Sequence, residues 1–234
     1  MTKLQKKGLV WDLSTRLFHW LLVVGITYCW ISIELLENLQ HHFWSGYLVF
    51  FLLVFRIFWG FVGTRYALFS NLIKQIAKLP ISKNRTNKKD NNSSGENLGH
   101  SSQGSLSVLV LLLLLTVQVG TGLFNTDDYT FAPLSGLVNY ETRIIIGKIH
   151  SFSFDALCFM VGLHILAIIY YRIARRKTLT KSMISGYKSS THNDGFIRDS
   201  KSLVALITVI ASALIVYGTI NCCADSIPVG EFDF

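Results

Sequence analysis

Apolar residues gather in five blocks along this chain, at 17–33, 43–63, 106–124, 152–171 and 203–220. Each is near the roughly 20 residues that a helix needs to cross the hydrocarbon core of a bilayer. The third contains VLVLLLLLTVQVG, too long and uniform for a buried strand. Any one block could be the core helix of a large soluble protein. Five of them in 234 residues leave too little polar surface to cover them. The pattern predicts an all-α integral membrane protein.

The polar stretches between the blocks set its organisation. The first helix ends near Ser32, and a short acidic link leads to a second helix that opens on LQHHFWSGY. A long loop follows, whose insertion at 83–104 is too rich in Asn, Ser and Gly to build a core and reads as flexible. After the third span comes a loop around NTDDYTFAPLSGLVNYETR with a short interfacial segment, then a fourth helix from about Arg143 to Tyr171. Residues 1–180 thus form one four-helix core. Residues 181–234 add a polar connection, a fifth span at 203–220 without His or charge, and a short tail.

Charge orients this arrangement. Of the 22 Lys and Arg residues, 19 lie at the N-terminus, after the second block or after the fourth. The other connections carry Glu34 and Glu37, then Asp127, Asp128 and Glu141, and finally Asp225, Glu231 and Asp233. Basic and acidic segments alternate, as the positive-inside bias requires for an N-terminus inside and a C-terminus outside. The net charge of +8 is therefore topology signal and does not point to nucleic acid. The first block does not read as a cleaved signal, because Trp11, Asp12 and Arg16 precede it and no small-residue cleavage site follows. Cys29 and Cys158 read as core fillers, and Cys222 and Cys223 lie just beyond the fifth span.

Within the apolar blocks the chemistry rests on histidine. His150 and His164 are fourteen residues apart on the fourth helix. That separation is about 21 Å of rise and some 40° of azimuth, so they share a face but not one metal. Matching depths in an antiparallel bundle pairs His19 with His164 near the inner side and His42 with His150 near the outer side. Two imidazoles from opposing helices suit axial ligation of a flat macrocycle, and hence haem. No Cys or second His lies at zinc spacing. The bland alternative is a set of hydrogen-bonded polar residues. Helical phase favours His42 over His41, since His42, Gly46, Val49, Leu53 and Arg56 track one side. His100 and His192 fall in polar connections and read as solvated.

Two charged residues remain inside the spans. Arg56 needs an anion if buried, and a haem propionate, a bundle carboxylate or the inner headgroups would each serve. Asp155, between the two histidine levels, could tune a potential, move a proton or simply hydrogen-bond to a neighbour.

The segments VWDLSTRLFHWLLV, HFWSGYLVFFLLVFRIFWGFVGTRYALF, TGLFNTDD and KIHSFSFDALCFMVGLHILAIIYYRIARRKTLTKSMISG resemble the bacterial cytochrome b561 family. The closest branch includes the b-type cytochrome subunits of nickel-iron hydrogenases. The resemblance covers about residues 10–187. It implies a four-helix core with two haems b, axial ligands at His19, His42, His150 and His164, and a fifth helix outside the core. Family members pass electrons between membrane quinone and a partner such as a hydrogenase, dehydrogenase or c-type cytochrome. The resemblance thus implies an electron-transfer subunit of a respiratory chain in the bacterial inner membrane, N-terminus cytoplasmic and C-terminus periplasmic, with the partner at the outer face. Rival expectations are a quinone-linked oxidoreductase acting on a small substrate such as superoxide, and a non-redox membrane anchor. Where much of the family has Asn, this chain has Asp155.

Overall fold

In the computed structural model the described residues are 6–78, 99, 101–125, 132–176, 178–190 and 196–221. Their elements run β1 (Lys6–Leu9), α1 (Leu13–Glu34), α2 (Leu39–Val62), α3 (Phe69–Ile76), α4 (Ser102–Gly122), a 3-10 turn (Ser135–Leu137), α5 (Tyr140–Ile173), α6 (Leu179–Ser185), β2 (Tyr187–Ser190) and α7 (Ser202–Asn221). Helices α1, α2, α4, α5 and α7 are long and apolar enough to cross a membrane. At 34 residues, α5 is about 51 Å long, well beyond a hydrocarbon core of about 30 Å. The insertion expected at 83–104 lies outside the described residues except for Gly99 and 101–104, and α4 already begins at Ser102.

Local sequence explains where four of these helices start. Each is preceded by a short polar side chain whose oxygen accepts a backbone N–H of the first turn, which would otherwise lack a partner. Asp12 accepts from Thr15 (2.8 Å), Asn38 from His41 (3.1 Å), Ser101 from Gly104 (3.1 Å) and Asn139 from Thr142 (2.9 Å). The Asn38 cap therefore sets the register that carries His41 and His42. At the other end of α2, Lys201 Nζ donates to the Val62 and Gly63 carbonyls at 3.0 and 2.8 Å, a cation on the negative end of the helix.

The described residues group into two compact units. One draws on residues 1–20, 56–110 and 162–206, the other on 21–55, 111–161 and 207–234.

In the first unit, β1 pairs antiparallel with β2, with Leu9 opposite Tyr187. Gly186, just before β2, accepts the N–H groups of Val10 and Trp11 at 2.8 and 3.0 Å. Val10, Trp11 and Tyr66 form a core that Met183, Phe196 and Ile197 complete. The polar connection expected at 181–200 is thus partly built. It holds most of α6, a strand and two core residues, because its pairing partner lies at the opposite end of the sequence. Asp12, 1% exposed, also accepts from the hydroxyls of Thr15 (2.8 Å) and Thr64 (2.5 Å). The Trp59 indole N–H donates to Thr15 Oγ1 at 3.2 Å, so one buried carboxylate ties the start of α1 to the end of α2.

In the second unit, Val49, Leu53, Leu115 and Leu157 make the core, with Leu22 and Ile26 packed against them. These residues come from α1, α2, α4 and α5, a four-helix arrangement. Gly25 brings α1 and α2 close, because a Cβ there would stand 3.0 Å from Val49.

On α7, Ser212 is fully buried and Thr208 nearly so, whereas Leu203, Leu214 and Tyr217 are each at least 65% exposed. Small polar residues face protein and large apolar ones face outward, as in a helix bordered by lipid. Cys158, expected in the core, is exposed, since its position on α5 is turned away from Leu157 and Ser153, which are buried.

Candidate functional site

The second unit contains a cavity of about 660 Å³ lined by α1, α2, α4 and α5. Volumes of about 300–1,000 Å³ suit cofactor-sized molecules. His42 from the second turn of α2 and His150 from α5 both line it, among Ile26, Phe50, Phe154 and Leu157. Their ring centres are 6.4 Å apart and their planes are nearly perpendicular, at 83°. Metal–imidazole bonds of about 2 Å on either side, with roughly 1 Å from each nitrogen to its ring centre, require about 6 Å. The spacing therefore fits two axial ligands on one metal, and the cavity has room for a planar macrocycle. Gly46 keeps one wall open, since a Cβ there would meet nothing within 4 Å.

Hydrogen bonds decide which nitrogen of each ring is available. His42 Nδ1 is 3.0 Å from the Cys29 carbonyl oxygen, and His150 Nδ1 is 3.0 Å from that of Gln118. A carbonyl can only accept, so both Nδ1 atoms carry the proton and the lone pair belongs to Nε2. The Gln118 side-chain amide donates to His150 Nε2 at 3.1 Å, and its oxygen accepts from Ser153 Oγ. An iron at that nitrogen would take the place of the Gln118 amide.

His41, one residue before, is engaged differently. Its Nδ1 is 2.9 Å from the Tyr28 hydroxyl and its ring stacks on Trp44. It is not among the residues lining the cavity. Acidic groups are present there: Glu34 and Asp155 both line the cavity and both are exposed.

The first unit holds the other histidines. His19 and His164 are half-buried, and they lie within electrostatic range of each other. His19 Nδ1 is buried with no hydrogen-bond partner among the described residues, and the ring meets Trp20 edge-on at 5.0 Å. A buried imidazole nitrogen left without a partner is costly, so it suits a site that a bound group completes. Arg56 is 4% exposed, which rules out snorkelling to the headgroups. Its guanidinium lies over the Phe69 ring at 5.1 Å, within electrostatic range of Asp12, and Nη1 has no hydrogen-bond partner among the described residues.

Sequence reasoning treated the third span as uniform and missed Gln118, Thr121 and Gly122. Gln and Thr within TVQVGTG were the available clue, because polar side chains in a membrane span need partners. Asp12 was noted only as a residue preceding the first block, and its part in the buried hydrogen bonds was missed. Asp127, Asp128, Cys222, Cys223, His100 and His192 lie outside the described residues.

No curated protein and no solved structure matches the chain significantly. The family model of prokaryotic cytochrome b561 matches residues 10–186, which takes in all four paired histidines and α1 to α6. The match and the five apolar helices make this a multi-pass membrane b-type cytochrome of electron transfer that binds haem b. The chain belongs to the prokaryotic cytochrome b561 family.

Proposed function

We propose that this cytochrome carries two haems b and passes electrons between membrane quinone and a partner redox protein of a respiratory chain. The observation that carries this reading is the repetition of histidine pairs: α5 supplies one member to each, His150 with its ring centre 6.4 Å from that of His42, and His164 within electrostatic range of His19. Fourteen residues of continuous helix separate the two positions on α5, about 21 Å of rise. That is too far for one iron and suits two haems in relay. Haem b supplies the one-electron couple when bound. The chain would supply the imidazole nitrogens that hold it, keeps both Nδ1 protons of the His42–His150 pair on carbonyls, and lines the cavity with apolar side chains such as Ile26, Phe50 and Leu157.

Arg56 is assigned to the site of His19 and His164. Its buried, unpartnered nitrogen suits a haem propionate, with Asp12 as the resident counter-charge.

The protein sits in the bacterial inner membrane with its N-terminus cytoplasmic and its C-terminus periplasmic, on the alternation of basic and acidic connections. The partner, a hydrogenase, a dehydrogenase or a c-type cytochrome, docks at the periplasmic face. The acidic groups of the His42–His150 cavity, Glu34 and Asp155, favour a protein partner over an enzyme that draws in superoxide, an anion.

The test is a dithionite-reduced spectrum and a pyridine haemochrome assay on the purified chain, followed by anaerobic addition of quinol. Two haems b per chain, both reduced by quinol, are expected. One haem per chain, or two that quinol leaves oxidised, overturns the proposal.

A further inference from the structure

Helix α4 supplies no histidine, yet Gln118, Thr121 and Gly122 on it all approach the His150 ring. The Gln118 carbonyl accepts from His150 Nδ1–H at 3.0 Å, and Thr121 Oγ1 is 3.1 Å from the same nitrogen. The Thr121 hydroxyl proton is directed at carbonyls of its own helix, Val117 at 2.7 Å and Gln118 at 3.1 Å. Its oxygen therefore presents a lone pair, and Nδ1–H is shared between a carbonyl and a hydroxyl of one helical turn. One residue on, Gly122 makes the approach possible, because a Cβ there would stand 3.0 Å from His150 Cε1.

A second ring is held in a related way, which shows what is particular here. His42 Nδ1–H goes to the Cys29 carbonyl of α1, which also accepts from Ser32 Oγ at 2.8 Å. In that case the hydroxyl donates to the carbonyl rather than meeting the ring. At His150 the hydroxyl meets the imidazole itself, so a side chain, which can be substituted, contributes directly.

We propose that Thr121 and Gly122 of α4 are positioning residues for the haem held by His42 and His150, setting the tautomer, orientation and basicity of His150. This rests on the reading of His150 as a haem ligand. An acceptor on Nδ1–H makes the imidazole a stronger donor to a metal at Nε2, and a stronger donor favours the ferric state. Weakening that acceptor moves the midpoint potential of this haem in the positive direction and leaves the other haem alone. Turning the ring by adding a methyl at Gly122 changes the angle between the two imidazole planes, which low-spin ferric signals report.

The experiment uses the purified full chain with its haems. Potentiometric titration, electron paramagnetic resonance and the rate of haem loss to apomyoglobin are measured for Thr121→Val, Thr121→Ser, Gly122→Ala and His150→Ala. His150→Ala identifies the haem concerned by removing it. If that variant keeps both haems, the ligand assignment fails, separately from the role of α4. With the assignment standing, Thr121→Val shifts only that haem's potential, positively, and releases it about 10-fold faster or more. Thr121→Ser restores both values, and Gly122→Ala moves that haem's low-spin signal. Unchanged potentials and signals in both Thr121→Val and Gly122→Ala overturn the proposal, as does an equal shift of the two haems. Should Thr121→Val not fold, Gly122→Ala against Thr121→Ser decides by the same two readouts.

Discussion

The imidazoles of His42 and His150 stand 6.4 Å apart at 83°, each with its Nδ1 proton on a backbone carbonyl of a neighbouring helix. The two rings are prepared in the same protonation state before any metal arrives, with both Nε2 lone pairs available. If they are the ligands of one haem, replacing either with alanine lowers the haem content of the purified chain from two to one. His41→Ala leaves it at two, because His41 is occupied by Tyr28 and Trp44. Equal loss in His41→Ala and His42→Ala would show that the region matters and the individual ring does not.

His19→Ala and His164→Ala remove the other haem. The two single variants share one residual spectrum, which differs from the spectrum left by His42→Ala and His150→Ala. Difference spectra of the four variants check this, and a residual spectrum common to all four would break the pairing.

Arg56→Gln lowers the midpoint potential of the haem that is lost in His164→Ala. A buried cation favours the added electron of the ferrous state, and its charge is poorly screened at low exposure. Redox titration of the variant measures the shift. An unchanged potential combined with lower stability would assign Arg56 to Asp12 and Phe69 alone.

Asp12→Ala leaves the Thr15 N–H and the Thr15 and Thr64 hydroxyls without their shared acceptor. Each buried unsatisfied group costs about 1–3 kcal/mol, although movement of the freed hydroxyls recovers part of it. The expected net destabilisation is about 2–4 kcal/mol, the cap included. Thr64→Val costs less, since it removes one donor and adds a methyl of similar shape. Thermal unfolding in detergent, followed by the Soret band, ranks the two.

Gly186→Ala destabilises the cap formed by β1, β2 and α6. Gly186 has φ +85°, and a Cβ there would lie 2.7 Å from the Trp11 carbonyl oxygen. The left-handed conformation alone costs a non-glycine residue about 1–2 kcal/mol, and the contact with fixed backbone adds to it. Protease sensitivity between residues 176 and 201, compared with the parent chain, reports the loosening.

A C-terminal alkaline phosphatase fusion is active and a C-terminal green fluorescent protein fusion is dark, because the tail is periplasmic in the proposed orientation. The reverse pattern would invert the topology and move the partner's docking face to the cytoplasm.

The five spans and the helical phase of His42 were legible because each depends on residues close together in the chain. Mean hydropathy over about 20 residues identifies a span, and 100° per residue sorts His42 from His41. The pairing of His42 with His150 also followed, since α2 and α5 run in the same direction in the alternating topology and both histidines lie near the outer ends of their spans. The cap was not legible in this way. Leu9 meets Tyr187 only because α1 and α6 bring them together, and nothing in KKGL or YKSS names the other strand.

By itself, the sequence determined the five apolar spans, the helical phase that separates His42 from His41, and the family. Those are read from residues close together in the chain. Tertiary structure decided the rest: that both Nδ1 atoms donate to carbonyls, that α4 closes on His150 through Gly122, that Arg56 is buried near Asp12, and that β2, Met183, Phe196 and Ile197 pack against β1, Val10 and Trp11. These depend on distances between helices, and an interhelical distance is set by side chains meeting across a gap, which no window of the chain contains.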